Sequence, residues 1–315
     1  MTPAALDWID RFRRYIVIER RGSTHTVVNY LRDLRALTAY CDRAELQSWV
    51  ELDTARVRVF AARLHAGGLS PRSIQRRLSA VRSFYDFLLR EAQLQRERPG
   101  AAGADIAALK HNPAHDVRAP KAGKRLPETL DADQMARLLA IEDVSPLAVR
   151  DRAIMELFYS SGLRLAELTG LDCDHLDTAD RTVRVLGKGR KERAVPVGRH
   201  ALRSLERWLA QRAAWVAPDQ RALFVGRAGR RLGRREIEKR IRYWARRQGL
   251  PQHVYPHLFR HSFASHLLES GAELRGVQEL LGHADISTTQ IYTHLDFQHL
   301  ARIYDSAHPR ARRKS

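Results

Sequence analysis

The sequence predicts a mainly α protein of two helical domains, the second carrying a small antiparallel sheet. Three observations predict it. Apolar residues recur at helical spacing from residue 1 to about 95 and again beyond residue 129. Between Arg96 and Lys124 that periodicity fails, and Pro99-Gly100, Gly103, Asn112-Pro113, Pro120 and Gly123 punctuate a polar stretch that reads as a linker. One pair of runs, Arg181 to Leu186 and Ala194 to Val197, alternates at the strand period around a glycine-flanked turn, which is the pattern of a β-hairpin. With 315 residues the chain is long enough for two cores.

In the first domain, residues 1–95, four helical stripes follow one another. Leu6, Ile9, Phe12 and Ile16 mark the first; Val27, Tyr30, Leu31, Leu34 and Leu37 the second; Val57, Phe60 and Leu64 the third. Ser70-Pro71 supplies an N-cap and a first-turn proline for a fourth helix through Leu94, with Ile74, Leu78, Val81, Tyr85 and Leu88 inward. The other face of that helix carries Arg72, Arg76 and Arg77, candidates for holding a duplex backbone. Within the linker, 96–124, a short helix is expected from Asp105 to Lys110.

The second domain, residues 125–315, begins with Thr129-Leu-Asp131 ahead of a helix through Gln134 to Leu139. Arg150 to Ser160 reads as a buried helix, and Gly162-Leu-Arg164-Leu-Ala-Glu167 opens another, with Glu167 placed to orient the Arg164 guanidinium. After the hairpin come a helix from Ala201 to Ala214, centred on Leu205, Trp208 and Leu209, and a strongly basic one from Arg234 to Arg247. In the latter Ile237, Ile241 and Trp244 form the inward stripe, while Arg235, Lys239, Arg242 and Arg246 project elsewhere as a duplex-facing surface. Gly282 is expected to stop a helix that runs through Val277 to Leu281, and a last helix follows Tyr292 with Phe297, Leu300 and Ile303 inward.

Composition narrows the partner. There are 55 basic and 36 acidic side chains, a formal net charge of +19, which points to a polyanion and to binding that weakens steeply with salt. The two cysteines, Cys41 and Cys173, have no metal spacing and make no disulfide framework, as suits a reducing cytoplasm. No basic start precedes an apolar run, and no apolar stretch reaches membrane-spanning length, so a soluble cytoplasmic protein with no membrane partner is expected.

The chemistry concentrates in the last third. His257-Leu-Phe-Arg260-His, Leu281-Gly-His283 and Ile291-Tyr292-Thr-His follow in that order, with Arg164 and Lys188 upstream. A tyrosine that attacks phosphorus builds up negative charge on the equatorial oxygens, and fixed cations must meet it. Arg164 and Arg260 suit that task because guanidinium grips two oxygens at once and does not titrate in the working range. Making phenolate at neutral pH costs roughly 4 kcal/mol, so Tyr292 needs a neighbouring base and a positive field. His257 lies one helical turn before Arg260, so one residue can take a proton while the other holds phosphate. Lys188, one of seven lysines, sits in the hairpin turn Gly187-Lys-Gly-Arg-Lys-Glu-Arg193 and is the candidate acid for a departing 5′ oxygen; Lys191 is an equally basic neighbour, and a turn kept soluble by charge is the other reading. Nothing in this scheme calls for a metal or cofactor.

These segments resemble those of the tyrosine recombinases, and the likeness runs almost end to end. Asn112-Pro-Ala, Arg118-Ala-Pro-Lys121, Lys124-Arg-Leu-Pro127 and the ending Tyr304-Asp-Ser-Ala-His-Pro-Arg310 narrow it to the Xer branch of bacterial chromosome-dimer recombinases. The resemblance implies an N-terminal core-binding, SAM-like domain and a mostly helical catalytic domain that close as a clamp on DNA. Arg164, Lys188, His257, Arg260 and His283 match the family's catalytic positions, and Tyr292 matches the nucleophile that becomes joined to a 3′ phosphate. It further implies a double-stranded recombination site, an XerD-like partner recombinase in a heterotetramer, a DNA translocase at the division septum, and a C-terminal tail that packs against a neighbouring protomer. Two departures are visible: Ala166 stands where relatives often have serine, and the stretch from Arg96 to Ala108 is longer than is common. A phage-type integrase, a type IB topoisomerase-like enzyme and a non-catalytic DNA-binding protein are the alternatives.

Overall fold

The computed structural model describes residues 1–20, 22–97, 106–121, 129–187, 192–250, 253–271 and 273–281. The chain divides between Lys124 and Arg125 into two compact units, each with its own core.

The first unit is built from α1 (Pro3–Ile18), α2 (Thr24–Arg43), α3 (Thr54–Ala66) and α4 (Pro71–Glu97). Each begins where a short polar side chain satisfies a free backbone N–H: Thr2 accepts from Ala5, Ser23 from Thr26, Asp53 from Arg56 and Ser70 from Ser73. Along α4 the expected inward residues Ile74, Leu78, Val81, Tyr85 and Leu88 are all fully buried. Trp49 lies among them; its indole N–H donates to the Ala5 carbonyl at 2.6 Å, and Tyr85 Oη donates to the Trp49 carbonyl at 2.8 Å.

Two expectations for this unit shift. The buried stripe of α1 is Ala5, Trp8, Phe12 and Ile16, whereas Leu6 is 40 % exposed. The larger ring of Trp8 takes the inward position, and small Ala5 lets the backbone approach Trp49. The second shift concerns the stretch read as linker. Ile106, Leu109, Ala114 and Val117 are buried in the first core. Arg82 donates to the carbonyls of Ala114 and Val117 at 2.9 and 2.6 Å, Arg96 to that of Leu109 at 2.6 Å, and Asn112 to the Arg82 carbonyl at 3.0 Å and Asp86 at 2.7 Å. Side chains of α4 thus satisfy backbone groups that a helix would otherwise pair. The described part of the expected Asp105–Lys110 helix is a single turn, closed by Leu109 N–H on the Ile106 carbonyl.

In the second unit, α5 (Ala132–Leu139) starts at a reciprocal cap between Asp131 and Gln134, and α6 (Pro146–Ser161) is buried nearly all round. Then come α7 (Leu165–Thr169), the strands β1 (Leu176–Asp177), β2 (Thr182–Leu186) and β3 (Glu192–Pro196), and the helices α8 (Arg199–Arg212), α9 (Arg234–Arg247), α10 (Pro256–Glu269) and α11 (Leu274–Leu280). The sheet is antiparallel in the order β1-β2-β3, with Thr182 opposite Pro196 and Leu186 opposite Glu192. Val183, Val185 and Val195 face the core, as the period-2 alternation requires. The short β1 has no signal in the sequence, since two residues carry no period.

α6 is packed by α8 and α10, and an ionic group ties it to α9. Asp151, 1 % exposed, accepts from Arg150, Arg240 and the Trp244 indole. That fixes the rotation of the basic helix and turns Arg240 toward the unit's interior. Among the described residues no helix is long and apolar enough to cross a membrane.

Candidate active site and nucleic-acid interface

The site grows from the end of α6. Gly162 ends that helix in the left-handed region at φ 54°, where glycine bears no steric penalty. A Cβ there would also stand 2.6 Å from Phe263 of α10 and 3.0 Å from Leu281, so side-chain bulk is excluded twice over. The chain end of α6, the middle of α10 and the residue after α11 therefore meet at one point.

Arg260 holds that point together. Only 8 % exposed, it donates through NH1 to the Gly162 carbonyl at 2.6 Å and through NH2 to the Leu281 carbonyl. Burial, and then the charge of Arg164, push its pKa down to about 10, which leaves it cationic at neutral pH. His257 lies one turn earlier on α10, exposed between the buried Pro256 and Leu258.

Arg164 stands immediately before α7. Glu167 reaches back to it, accepting from its backbone N–H at 2.8 Å and from its guanidinium at 2.9 Å, the orienting role read from the spacing. The same carboxylate, 4 % exposed, also takes both terminal nitrogens of Arg193 from β3, at 3.0 and 3.1 Å. Burial would raise the Glu167 pKa, but the Arg193 and Arg164 hydrogen bonds outweigh it and hold the carboxyl below its usual value. Two guanidinium groups thus share one carboxylate, with the Arg260 charge acted on by all three, so the positive charge here exceeds the negative.

Of the predicted catalytic residues, Arg164 stands close enough for its charge to act on Arg260, and His257 shares a helix with Arg260. Lys188, His283 and Tyr292 lie outside the described residues, as do Gly282, Phe297, Leu300 and Ile303. Leu281, whose carbonyl Arg260 holds, is two positions before His283 in sequence.

The two basic faces differ. On α9 Arg235, Lys239, Arg242 and Arg246 are exposed. On α4 Arg72 is exposed and borders a groove of about 530 Å³ with Ser70, Ser73, Gln75, Arg76 and Ser79. Arg76 and Arg77 depart from the expectation of open cations: both pair with Asp33 of α2, a fully buried carboxylate, with Arg77 at 3.3 Å. Sequence reasoning missed Asp33 and Arg193. Asp33 had a signal, since it sits in phase with Tyr30 and Leu37 on the inward stripe, where an acid demands a cation. Arg193 had none, because its partner is 26 residues away.

Residues 9–92 match the phage integrase N-terminal SAM-like domain, and residues 128–299 match the phage integrase family. The chain is 50 % identical over 314 residues to tyrosine recombinase XerC of Salmonella typhi, covering 99 % of each. It belongs to the phage integrase family of tyrosine recombinases. This recombinase is also 50 % identical over 305 residues to tyrosine recombinase XerC of Escherichia coli O1:K1, covering 97 % of each chain. Its fold is shared with XerH site-specific recombinase bound to palindromic difH substrate in a post-cleavage complex, at a TM-score of 0.70 with 22 % identity over 95 % of each chain. The Tn1549 transposon integrase in complex with transposon right end DNA gives a TM-score of 0.70 at 17 % identity, covering 93 % of this chain and 97 % of that one. As a tyrosine recombinase the protein is a site-specific DNA recombinase, with the mainly helical fold, SAM-like first domain and small antiparallel sheet expected of its sequence.

Proposed function

We propose that this recombinase cuts and rejoins a double-stranded recombination site in the cytoplasm, together with an XerD-like partner in a heterotetramer, to convert chromosome dimers to monomers before division, with a DNA translocase at the septum as a further partner. The observation that carries the catalytic part is the convergence of Arg164 and Arg260 on the joint between α6, α10 and α11, where the field of three arginines exceeds one carboxylate.

In this scheme Tyr292 Oη attacks the scissile phosphorus and passes its proton to His257. A P–O bond to the tyrosine forms, the bond to the 5′ oxygen breaks, and that oxygen takes a proton from Lys188. Arg164, Arg260 and His283 donate to the non-bridging oxygens. Because the 3′-phosphotyrosine keeps the energy of the broken bond, a 5′ hydroxyl from another strand reseals it with neither nucleotide nor metal. Exposed Arg235, Lys239 and Arg242 of α9 and Arg72 of α4, with the partly covered Arg76 and Arg77, supply phosphate contacts. Both structural neighbours named above were captured on DNA, and the relatives at 50 % identity bear the name XerC, which supports the partner and the process.

The test is a nicked suicide duplex bearing a candidate chromosomal site, incubated without metal. The wild type is expected to leave a covalent 3′ adduct, and Tyr292→Phe to bind the duplex with unchanged affinity and leave none. An adduct from Tyr292→Phe overturns the nucleophile assignment. Relaxation of plasmids lacking any site by the protein alone would move the reading to a topoisomerase.

A further inference from the structure

We infer that Arg193 is a positioning residue for the leaving-group side of the reaction, tying the stem of the β2–β3 hairpin to the carboxylate that orients Arg164. This rests on the reading that Tyr292 attacks and Lys188 protonates the departing 5′ oxygen.

Arg193 is the second residue of β3, opposite Val185, and lies one residue beyond the Leu186–Glu192 pair at which the hairpin turn begins. It meets both oxygens of Glu167, Oε1 at 3.0 Å and Oε2 at 3.1 Å. Such a two-point grip fixes angle as well as distance. Its partner's side chain is 4 % exposed and its own 20 %, so water competes little for the pair. One anion therefore registers two elements: the start of α7, through the backbone N–H and guanidinium of Arg164, and the hairpin stem, through Arg193.

Removal of Arg193 has unequal consequences for those elements. Arg164 keeps both of its bonds to Glu167, so the phosphate-holding guanidinium stays oriented. The stem loses its two-point tie just below the turn whose sequence contains Lys188. A displacement of about 1 Å in a catalytic group can slow a reaction on the order of 10²-fold. The alternative route, in which Arg193 acts only by adding charge near Arg260, would weaken stabilisation of the phosphorane instead.

The leaving group separates the routes. A 5′-thio leaving group departs as thiolate without a proton, so a defect in proton delivery disappears with sulfur and a defect in phosphate stabilisation does not. The experiment uses the nicked duplex on which the full-length wild type forms its adduct, synthesised with oxygen or sulfur at the scissile 5′ bridge. Arg193→Ala is expected to cleave the oxygen substrate about 10²-fold slower, and the sulfur substrate within about threefold of wild type. Arg193→Lys, which keeps the charge but only one point of attachment, should fall between and guards against a variant that fails to fold. The double variant Arg193→Ala, Lys188→Ala should be no slower than Lys188→Ala alone, because both act on one step. If sulfur rescues Lys188→Ala but neither Arg193 variant, the inference is overturned while the acid assignment stands. If sulfur fails to rescue Lys188→Ala, the assignment beneath it falls first, and absence of any wild-type adduct removes both.

Discussion

Arg164 and Arg260 bring the same charge to the site but are anchored in different ways, and the difference is measurable. Arg260 is buried and supplies donors to two backbone carbonyls, so its loss leaves the Gly162 and Leu281 acceptors without them. Arg260→Ala should therefore cost about 2–4 kcal/mol of stability as well as adduct formation. The Arg164 side chain is 38 % exposed, and Glu167 retains Arg193 in its absence. Arg164→Ala should lose adduct formation with a stability change under about 1 kcal/mol. Thermal melts beside the suicide-substrate assay check both, and an Arg260→Ala protein that melts like the wild type would contradict the strut role. That His257 and Arg260 share a helix one turn apart was legible in their three-residue spacing. The second task of Arg260 was not, because Gly162 lies 98 residues away and no local pattern encodes an interaction at that distance.

Two helices that look alike in sequence, α4 and α9, are built to different ends. Each shows an apolar stripe and an arginine-rich opposite face, and both stripes are buried as their periodicity requires. What periodicity could not reveal is how each basic face is partnered. The cations Arg235, Lys239 and Arg242 stand exposed on α9, while Arg76 and Arg77 compensate the buried charge of Asp33. Burial, opposed by those two arginines, raises the Asp33 pKa, the signature of a carboxylate whose ionised form depends on its partners. Replacing Arg235, Lys239 and Arg242 together by Ala should leave the urea midpoint nearly unchanged, within about 0.5 kcal/mol per site. The salt dependence of DNA binding should become shallower by about 0.9 in log–log slope for each phosphate that is no longer neutralised. Replacing Arg76 and Arg77 by Ala should instead lower stability by about 2–4 kcal/mol, because a buried charge loses its partners. Adding Asp33→Asn to that pair should recover most of the loss. A full recovery of stability with DNA binding still weak would show that the two arginines touch phosphate as well as Asp33.

At the scale of the whole molecule, the boundary between the units lies later than the polar punctuation suggests. Proline, glycine and asparagine signal the absence of a regular element, and that absence is real over residues 106–121; it does not signal the absence of packing. Ile106, Leu109, Ala114 and Val117 are apolar residues spaced for neither helix nor strand, so each looks incidental in sequence, yet all are 5 % exposed or less. Their backbone is held by Arg82, Arg96 and Asn112, polar side chains that a sequence reading leaves in solvent. A consequence follows for the independence of the first unit. Residues 1–121 should fold alone as a cooperative helical protein, because they enclose a buried core of their own. Residues 1–95, cut where the periodicity ends, lack Ile106, Leu109 and Val117, each worth about 1.5–3 kcal/mol when buried. They also expose the underlying face of α4 and leave the Arg82 guanidinium without its two carbonyls. The shorter fragment should lose most of the stability of the longer one, since a domain of this size has only about 5–15 kcal/mol in all. Urea titrations followed by far-ultraviolet circular dichroism measure the difference directly. Coincident midpoints for the two fragments would mean that residues 106–117 add nothing to the core and that the polar stretch is a linker throughout.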